Sequence, residues 1–329
     1  DIAKEIGVSV STVSLALRNS TKISENRRAY IKKVAQQMGY IKDNRISELM
    51  EYMRSKRSDR QMQKLGVIVP EITKSSLNEH SNISGLISGI ELQGKESDYE
   101  IDYFYLKDLK VTHKRLRVIL QSRGIQAIIL MPFRSGVGAL NIDVSSFCVS
   151  TAGYSIIDPL PHRACPNYLQ MMDELIEQTC RLGYKRLGFV MTYPLGGIGH
   201  KLFSSSFLYY SMLIDESQRI PILPRRNISP ENIKKWMKEN KPDVIISSGK
   251  VYRILEGLGY QMPKDQGFAS LDVSDDPQNA SGMDHRYDLV GKEAMKLVIS
   301  DLIHNNRGLP KEPRIVLIDS HYCEGETLR

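Results

Sequence analysis

The stretch VSVSTVSLALRNS, residues 8–20, predicts a short helix with an unusual outward face. At 100° per residue, Val13, Ala16 and Leu17 share one side, which predicts that they face a core. A surface helix ordinarily fills its outer face with Glu and Lys, which favour helix and solubility. This helix has no acid and offers hydroxyls instead, so we expect its outer face to contact another molecule. The outer face consists of Ser11, Leu15 and Arg18, with Thr12 and Ser14 at its edges, whereas Ser9 and Val10 flank the inner side.

Two further helical segments surround this stretch. DIAKEIG ends at Gly7, a residue suited to leaving a helix, and Ser9 is placed to cap the next one. Ser24 is placed to cap ENRRAYIKKVAQQM, which Gly39 closes. Two helices joined by a tight glycine turn and supported by a third predict a helix-turn-helix unit, while a plain helical bundle is the alternative. The predicted inner stripe of the third helix is Tyr30 or Ile31, Val34, Ala35 and Met38.

The positive charge of the chain is segregated at this end. Residues 1–64 carry 14 Lys or Arg and 7 Asp or Glu, whereas residues 65–329 carry 31 of each. The whole formal excess of +7 therefore lies in the first fifth of the chain. A segregated basic end indicates a polyanionic partner.

After residue 64 strand-like and helical segments alternate. Repeated β-α units with buried apolar strands predict parallel, doubly wound sheets, and about 265 residues of them predict two α/β lobes with a ligand cleft between. We expect a headpiece at 1–44, a hinge helix and linker at 45–63, and a core at 64–329. The first lobe is expected at about 64–160 and 287–313, the second at about 161–286 and 314–329. The predicted strands lie within 65–70, 99–106, 127–133, 147–151, 186–191, 243–248, 267–273 and 314–319.

The spacing GVSVSTVSLAL…ISENRR…VAQQMGY resembles the DNA-binding domain of the lactose/galactose repressor family of bacterial transcription regulators. Weaker similarity extends over LGYKRLGFV, YDLVGKEAMKLVISDL and the closing LIDSHYCEGETLR. The resemblance implies a homodimer, two lobes like those of periplasmic sugar-binding proteins, and a small-molecule effector in the cleft. It also implies that the outer face of the opening helix lies in a DNA major groove.

The family pattern assigns roles to individual headpiece residues. Val10, Ser11 and Leu15 hold base-reading positions, and Leu15 stands where many relatives carry a guanine-binding Arg. Tyr40 to Leu49 matches a hinge in which Leu49 resembles a minor-groove wedge; a helix–helix contact is the alternative. The basic insertion at 50–60 departs from the usual hinge. Positions that match or border phosphate contacts are Ser9, Thr12, Ser14, Arg18, Lys22, Ser24 and Arg27.

The family pattern also implies four effector-contacting residues. Phe203 replaces an Arg that clamps sugar hydroxyls in sugar-responsive relatives, and Phe207 replaces a cleft aromatic. Ser248, with Gly249, replaces an Asn-Asp pair at a strand end. Asp272 keeps the family's acid, with a helix or turn cap as the alternative role. Without the bidentate Arg, we expect an effector other than a simple monosaccharide, or none.

Sequence motifs for anion binding, catalysis or metal binding are weak or absent. PLGGIGH, residues 194–200, is read as a cleft loop rather than an anion nest, because GxGxxG and GK[ST] are absent. No catalytic motif, metal-ligand spacing or cofactor motif stands out, so we expect neither enzyme activity nor a cofactor. No apolar run of membrane length and no signal-peptide pattern occur. The thiols Cys148, Cys165, Cys180 and Cys323 are expected to be free and buried.

These observations predict a cytoplasmic, homodimeric repressor that binds a palindromic operator. The first alternative is a binding protein of periplasmic type that has no DNA role, against which the basic headpiece argues. The second is an enzyme that uses an α/β lobe with a nucleotide, against which the missing phosphate motifs argue. A regulator without an effector also remains open.

Overall fold

The computed structural model describes residues 2–17, 23–38, 63–134, 136–193, 197–275 and 279–329. The chain divides into two units, Asp1–Gln61 and Met62–Arg329. The predicted hinge and most of the linker lie outside the described residues.

The described part of the N-terminal unit contains three helices around a small apolar core. Val13 and Ala16 are buried against Ile31, as the helical periodicity predicts, and Gly7 makes the turn between the first two helices at φ 62°. The predicted inner stripe of the third helix is confirmed for Ile31 and Ala35, which are buried, and wrong for Tyr30 and Met38. Tyr30 and Met38 are 57% and 43% exposed, because the buried line follows Ile31 and Ala35 and Met38 lies just past the helix end. The helices are α1 (Ile2–Glu5), α2 (Val10–Leu17) and α3 (Glu25–Gln37).

The first lobe of the second unit is built on a parallel sheet. Its central strands are largely apolar, since helices cover both faces. The strand order is β12-β7-β5-β3-β1-β2, and a two-stranded ribbon of β4 and β6 flanks it. The strands are β1 (Gln63–Val69), β2 (Tyr99–Tyr105), β3 (Ala127–Leu130), β4 (Gly138–Ala139), β5 (Cys148–Ala152), β6 (Ile156–Asp158), β7 (His162–Pro166) and β12 (Ile315–Ile318).

Two helices of this lobe cross at very close range. A Cβ on Gly89 would lie 1.8 Å from the carbonyl oxygen of Asp288, and one on Gly291 would lie 2.1 Å from that of Leu86. Both positions therefore require glycine, and the crossing holds the helix starts in fixed positions beside each other. The helices of the lobe are α4 (Ser81–Glu96), α5 (Leu106–Leu109), α6 (His113–Ser122) and α11 (Tyr287–Ile303).

The second lobe has a sheet of order β13-β11-β10-β9-β8, parallel except for the edge strand β13. Helices pack on both faces, and the only tryptophan of the sequence, Trp236, is buried on one of them. The elements are α7 (Tyr168–Arg181), β8 (Leu187–Phe189), α8 (Ile198–Leu213), α9 (Pro230–Asn240), β9 (Val244–Ser247), α10 (Gly249–Gly257), β10 (Gly267–Ser270), β11 (Gly282–Asp284) and β13 (His321–Cys323).

The chain passes between the lobes three times, at 166–168, 284–287 and 318–321. The sequence placed 161–166 and 314–318 in the second lobe, which is wrong: β7 pairs with β5 and β12 in the first sheet. Strand pairing is a long-range property that local periodicity does not report. The crossings lie side by side, since the Asn167 amide N–H donates to the Ile318 carbonyl at 2.8 Å.

The four thiols are free, but only two are buried as predicted. Cys148 and Cys165 are buried, whereas Cys323 is half-buried and Cys180 is exposed. Among the residues that the structure describes, no helix has the length and apolar composition needed to cross a membrane.

Candidate functional site

The start of α2 carries a cluster of hydroxyl groups. Ser9 caps the helix as predicted, since its Oγ accepts from the Thr12 amide N–H at 3.1 Å. The hydroxyls of Ser11 and Thr12 lie 2.7 and 2.8 Å from the same Oγ. Ser9 and Ser11 are exposed, and helix N-termini favour negative charge. This end of α2 is therefore suited to contact phosphate oxygens.

The outward face of α2 also offers an apolar side chain. Leu15 is half-buried and is not a member of the core cluster formed by Val13, Ala16 and Ile31. A leucine there adds little to the core and is free to contact an apolar group outside the unit.

The start of α3 places two further predicted residues at the surface. Ser24 occupies the N-cap position, but its side chain makes no capping hydrogen bond, so the predicted side-chain cap is wrong. Ser24 and Arg27 are both exposed. Their hydroxyl and guanidinium groups are accessible donors.

Some predicted residues lie outside the description. Arg18, Lys22, Tyr40 and Leu49 are outside the described residues, and the side chains of Val10 and Ser14 are as well.

A cavity of about 410 Å³ lies between the two lobes of the second unit. Residues from both lobes line it, including Asn82 and Arg134 from the first and Tyr193 and Lys250 from the second. Its volume falls in the range of small-molecule sites, and its position at the carboxyl ends of the strands is the one expected for this fold.

Asp272 lines this cavity and is also a turn cap. Its Oδ1 accepts from the amide N–H of Ser274 at 3.0 Å and from the Ser274 hydroxyl at 2.6 Å, which fixes the 3-10 turn Val273–Asp275. Its Oδ2 accepts from the Tyr287 hydroxyl at 2.7 Å. Both carboxylate oxygens are thus satisfied by the protein, so the alternative role of Asp272 as a cap is observed.

Tyr287 connects Asp272 to a buried histidine. The Tyr287 hydroxyl lies 2.9 Å from His285 Nδ1, and His285 Nε2 lies 2.8 Å from the Leu271 carbonyl oxygen, to which it donates. Removal from water, with the Asp272 carboxylate beside it, raises the pKa of Tyr287 well above its usual range. The phenol therefore keeps its proton, and Asp272 and His285 share a single donor. Sequence reasoning missed this network, because nothing in DHRYDL marks its side chains as partners of Asp272.

An aromatic cluster forms one wall of the cavity. Tyr168 and Tyr193 line it with ring centroids 5.8 Å apart, and Phe203 packs beneath them at 4.8 and 4.9 Å. Phe203 is fully buried and Phe207 packs against Phe189 at 5.2 Å, so neither ring lines the cavity. The predicted effector contacts of both are thus replaced by packing roles, because large aromatic side chains gain most from complete burial.

The start of α10 contributes the fourth predicted effector residue. Ser248 is the N-cap residue, makes no side-chain capping bond and lines the cavity. The start of α8 lies at the same cavity, where Gly197–His200 of the PLGGIGH segment line it. Residues 194–196 are outside the described residues. A Cβ on Gly199 would lie 3.2 Å from the rings of Tyr168 and Tyr193, so this glycine lets α8 approach the aromatic wall.

Metal ligands are not gathered in the part of the chain that the structure describes. No group of three His, Cys, Asp or Glu side chains there could hold an ion.

A known protein family matches the N-terminal part of the chain. Residues 1–43 match the family model described as bacterial regulatory proteins, lacI family. The sequence matches none of the curated proteins at a significant level.

Similarity to solved structures extends over the whole chain. The transcriptional regulator CelR in complex with cellobiose is similar with a TM-score of 0.56 and 14% identity, over 99% of this chain and 98% of that chain. Lac repressor bound to ONPG is similar with a TM-score of 0.52 and 14% identity, over 99% of this chain and 98% of that chain. CcpA of Lactococcus lactis is similar with a TM-score of 0.56 and 14% identity, over 82% of this chain and 100% of that chain. The fold is thus a helix-turn-helix unit with a two-lobed α/β core, and these similar proteins are transcription regulators rather than enzymes.

Proposed function

We propose that this chain, whose first 43 residues are a helix-turn-helix domain of the lacI family, is a sequence-specific DNA-binding repressor. The observation that carries the proposal is the exposed hydroxyl cluster at the start of α2, within residues 1–64, which hold the entire formal charge excess. Hydroxyls that are close to the helix backbone allow near approach to DNA and donate to phosphate oxygens.

The residue roles in DNA binding follow the family pattern. Val10, Ser11 and Leu15 read base edges in the major groove, and Leu49 with Tyr40 contributes to a hinge at the minor groove. The phosphate contacts are assigned to Ser9, Thr12, Ser14, Arg18, Lys22, Ser24 and Arg27.

DNA binding is tested with operator sequences selected from random DNA and then used in gel shifts at several salt concentrations. Arg27→Ala is expected to weaken specific and non-specific binding alike and to flatten the log-log salt slope by about one unit. Arg115→Ala removes another exposed arginine, on α6, and is the matched control. A change in one base preference with an unchanged slope would contradict the phosphate assignment, and absence of any selected sequence would contradict the function.

Leu15 is tested through the thymine methyl group. Replacing each operator thymine by uracil removes only that methyl, whose burial is worth roughly 1 kcal/mol. We expect one half-site position at which uracil weakens binding by wild type but not by Leu15→Ala. Equal binding of thymine and uracil at every position would rule out Leu15 as a base reader.

A homodimer on a palindromic operator is supported by an exposed apolar face on α8. Leu208, Tyr209, Met212 and Leu213 are 53%, 63%, 74% and 68% exposed, and such patches mark protein contacts. Met212→Asp is expected to shift the sedimentation coefficient toward that of a monomer, whereas Leu92→Asp, on α4 and 53% exposed, is not. A monomeric wild type would contradict the homodimer.

The cavity is proposed as the site of a small-molecule effector in a cytoplasmic regulator. Structures of similar fold hold cellobiose and ONPG. In this chain Phe203 stands in place of a sugar-clamping Arg, so we expect no common hexose or pentose to bind more tightly than about 1 mM in calorimetry. Micromolar binding of such a sugar, lost in Asp272→Ala, would contradict this expectation.

A further inference from the structure

We propose that the cavity between the lobes takes an anionic effector, namely a phosphorylated sugar or polyol. This inference rests on the proposed role of the cavity as the effector site and adds the chemical class of its ligand.

The lining of the cavity is unbalanced in charge. Its described residues include Arg134 from the first lobe and Arg225 and Lys250 from the second, against one acid, Asp272. All three basic side chains are exposed to the cavity or its rim. The chemistry of the lining thus favours a ligand that brings negative charge.

Ion pairs do not neutralise these basic groups within the part of the chain that the structure describes. Among the described residues, none of the three lies within 4.0 Å of a carboxylate as an ion pair. Arg134 Nη1 lies 3.0 Å from His80 Nε2, and Glu71, which is not a lining residue, accepts from the backbone N–H of Arg134. The guanidinium group of Arg134 therefore remains available to a ligand.

The single acid is already satisfied. Asp272 accepts from Ser274 at one oxygen and from Tyr287 at the other. Its charge is stabilised by these donors, so it neither pairs with the three cations nor demands a cationic ligand.

Backbone dipoles at the cavity act in the same direction. The lining includes Asn82 in the first turn of α4, Gly199 in that of α8 and Lys250 in that of α10. The first N–H groups of a helix lack intrahelical acceptors, and their partial positive charge favours anions. The dipoles alone would not define a site, but they add to the charge of the three side chains.

The rest of the lining suits a hydroxyl-rich body. The rings of Tyr168 and Tyr193, which meet edge to face, offer an apolar wall, and Asn82, Ser155 and Ser248 supply polar groups that pair with hydroxyls. A bare inorganic anion would leave this wall and most of the 410 Å³ unused. A phosphate ester of a sugar or polyol uses both parts of the lining.

The test is calorimetry of the full chain with hexose and pentose monophosphates, their parent sugars and inorganic phosphate. We expect at least one sugar phosphate to bind at least tenfold more tightly than its parent sugar and than inorganic phosphate. Its affinity should fall on raising NaCl from about 50 to 500 mM, since salt screens the exposed charges.

Single substitutions locate the binding. Arg134→Gln and Lys250→Gln are each expected to weaken that sugar phosphate about tenfold, while Lys238→Gln, an exposed lysine on α9, leaves it unchanged. The inference is overturned if parent sugars or inorganic phosphate bind as tightly, if no sugar phosphate binds below about 10 mM, or if Arg134→Gln and Lys250→Gln have no effect. Gel shifts of the ligand-free protein report DNA binding independently, so failure here is distinguishable from failure of the proposed function.

Discussion

Tyr287→Phe removes one hydroxyl from the centre of the Asp272 network and keeps the ring. The hydroxyl donates to Asp272 at 2.7 Å and lies 2.9 Å from His285 Nδ1, so the substitution leaves a carboxylate oxygen and a ring nitrogen without that partner. A hydrogen bond to a charged group contributes about 1.5–3 kcal/mol, and a neutral one about 0.5–1.5 kcal/mol. Because Tyr287 lines an open cavity, water replaces part of the loss. We therefore expect the free energy of unfolding to fall by about 2 kcal/mol.

Urea unfolding followed by tryptophan fluorescence measures this change, since the only tryptophan, Trp236, is buried in the second lobe. In a scanning calorimeter the same loss lowers the melting temperature by roughly 4 °C for a unit of this size. Tyr209→Phe, at a tyrosine that is 63% exposed, is the control and should change the free energy by less than about 0.5 kcal/mol.

A double-mutant cycle identifies the interaction responsible. If the hydrogen bond to the carboxylate dominates, Tyr287→Phe should cost less in an Asp272→Asn background than in wild type. A Tyr287→Phe protein as stable as wild type, or the same cost in both backgrounds, would refute the network as a stabilising element.

Three other outcomes are expected. Ser9→Ala removes the cap of α2 and should lower the stability of the helix by about 1 kcal/mol, which speeds hydrogen exchange of its amides about fivefold. Unchanged exchange would contradict the cap. Burial lowers the pKa of His162, so the unfolded chain binds a proton that the folded chain does not. Stability should therefore be full above about pH 6.5 and fall as the pH drops below it, and His162→Gln should flatten this dependence; an unchanged pH profile would count against it. Burial raises the pKa of Cys165 to about 12, so iodoacetamide at pH 8 should label the exposed Cys180 and spare Cys165. Peptide mass spectra measure the labelling, and rapid labelling of Cys165 in the folded protein would contradict the packing.

The sequence predicts most strands correctly because most of these are largely apolar runs. It misses β7, His162–Pro166, since the surrounding prolines at 159, 161 and 166 indicate a loop. It also misses β4, β6, β11 and β13, which are two or three residues long and too short for a periodic pattern. The lobe boundaries were misplaced for a related reason, because membership of a sheet depends on partners more than a hundred residues away.

The cavity shows the same division between local and long-range information. The family resemblance implies Asp272 and Ser248, both of which stand just after strands, and both line the cavity. The sequence does not predict three other lining residues, because each comes from a different segment and only the topology brings them to one cavity. They are Tyr168, Arg134 and Arg225. Phe203 was assigned to the ligand because it aligns with a clamp residue, but an aromatic ring there packs behind the wall.

The three crossings between the lobes set a rule for building chimaeras from this protein. A single recombination point within residues 63–329 always divides at least one lobe between two parents, since each lobe is assembled from separate stretches of chain. Exchanging the second lobe means transplanting residues 168–284 and 321–329 together. The joint at Asn167 must also preserve its hydrogen bonds to Ile318 and Asp319, because these bonds tie the first crossing to the third. A donor regulator is therefore better chosen for matching crossings than for overall identity.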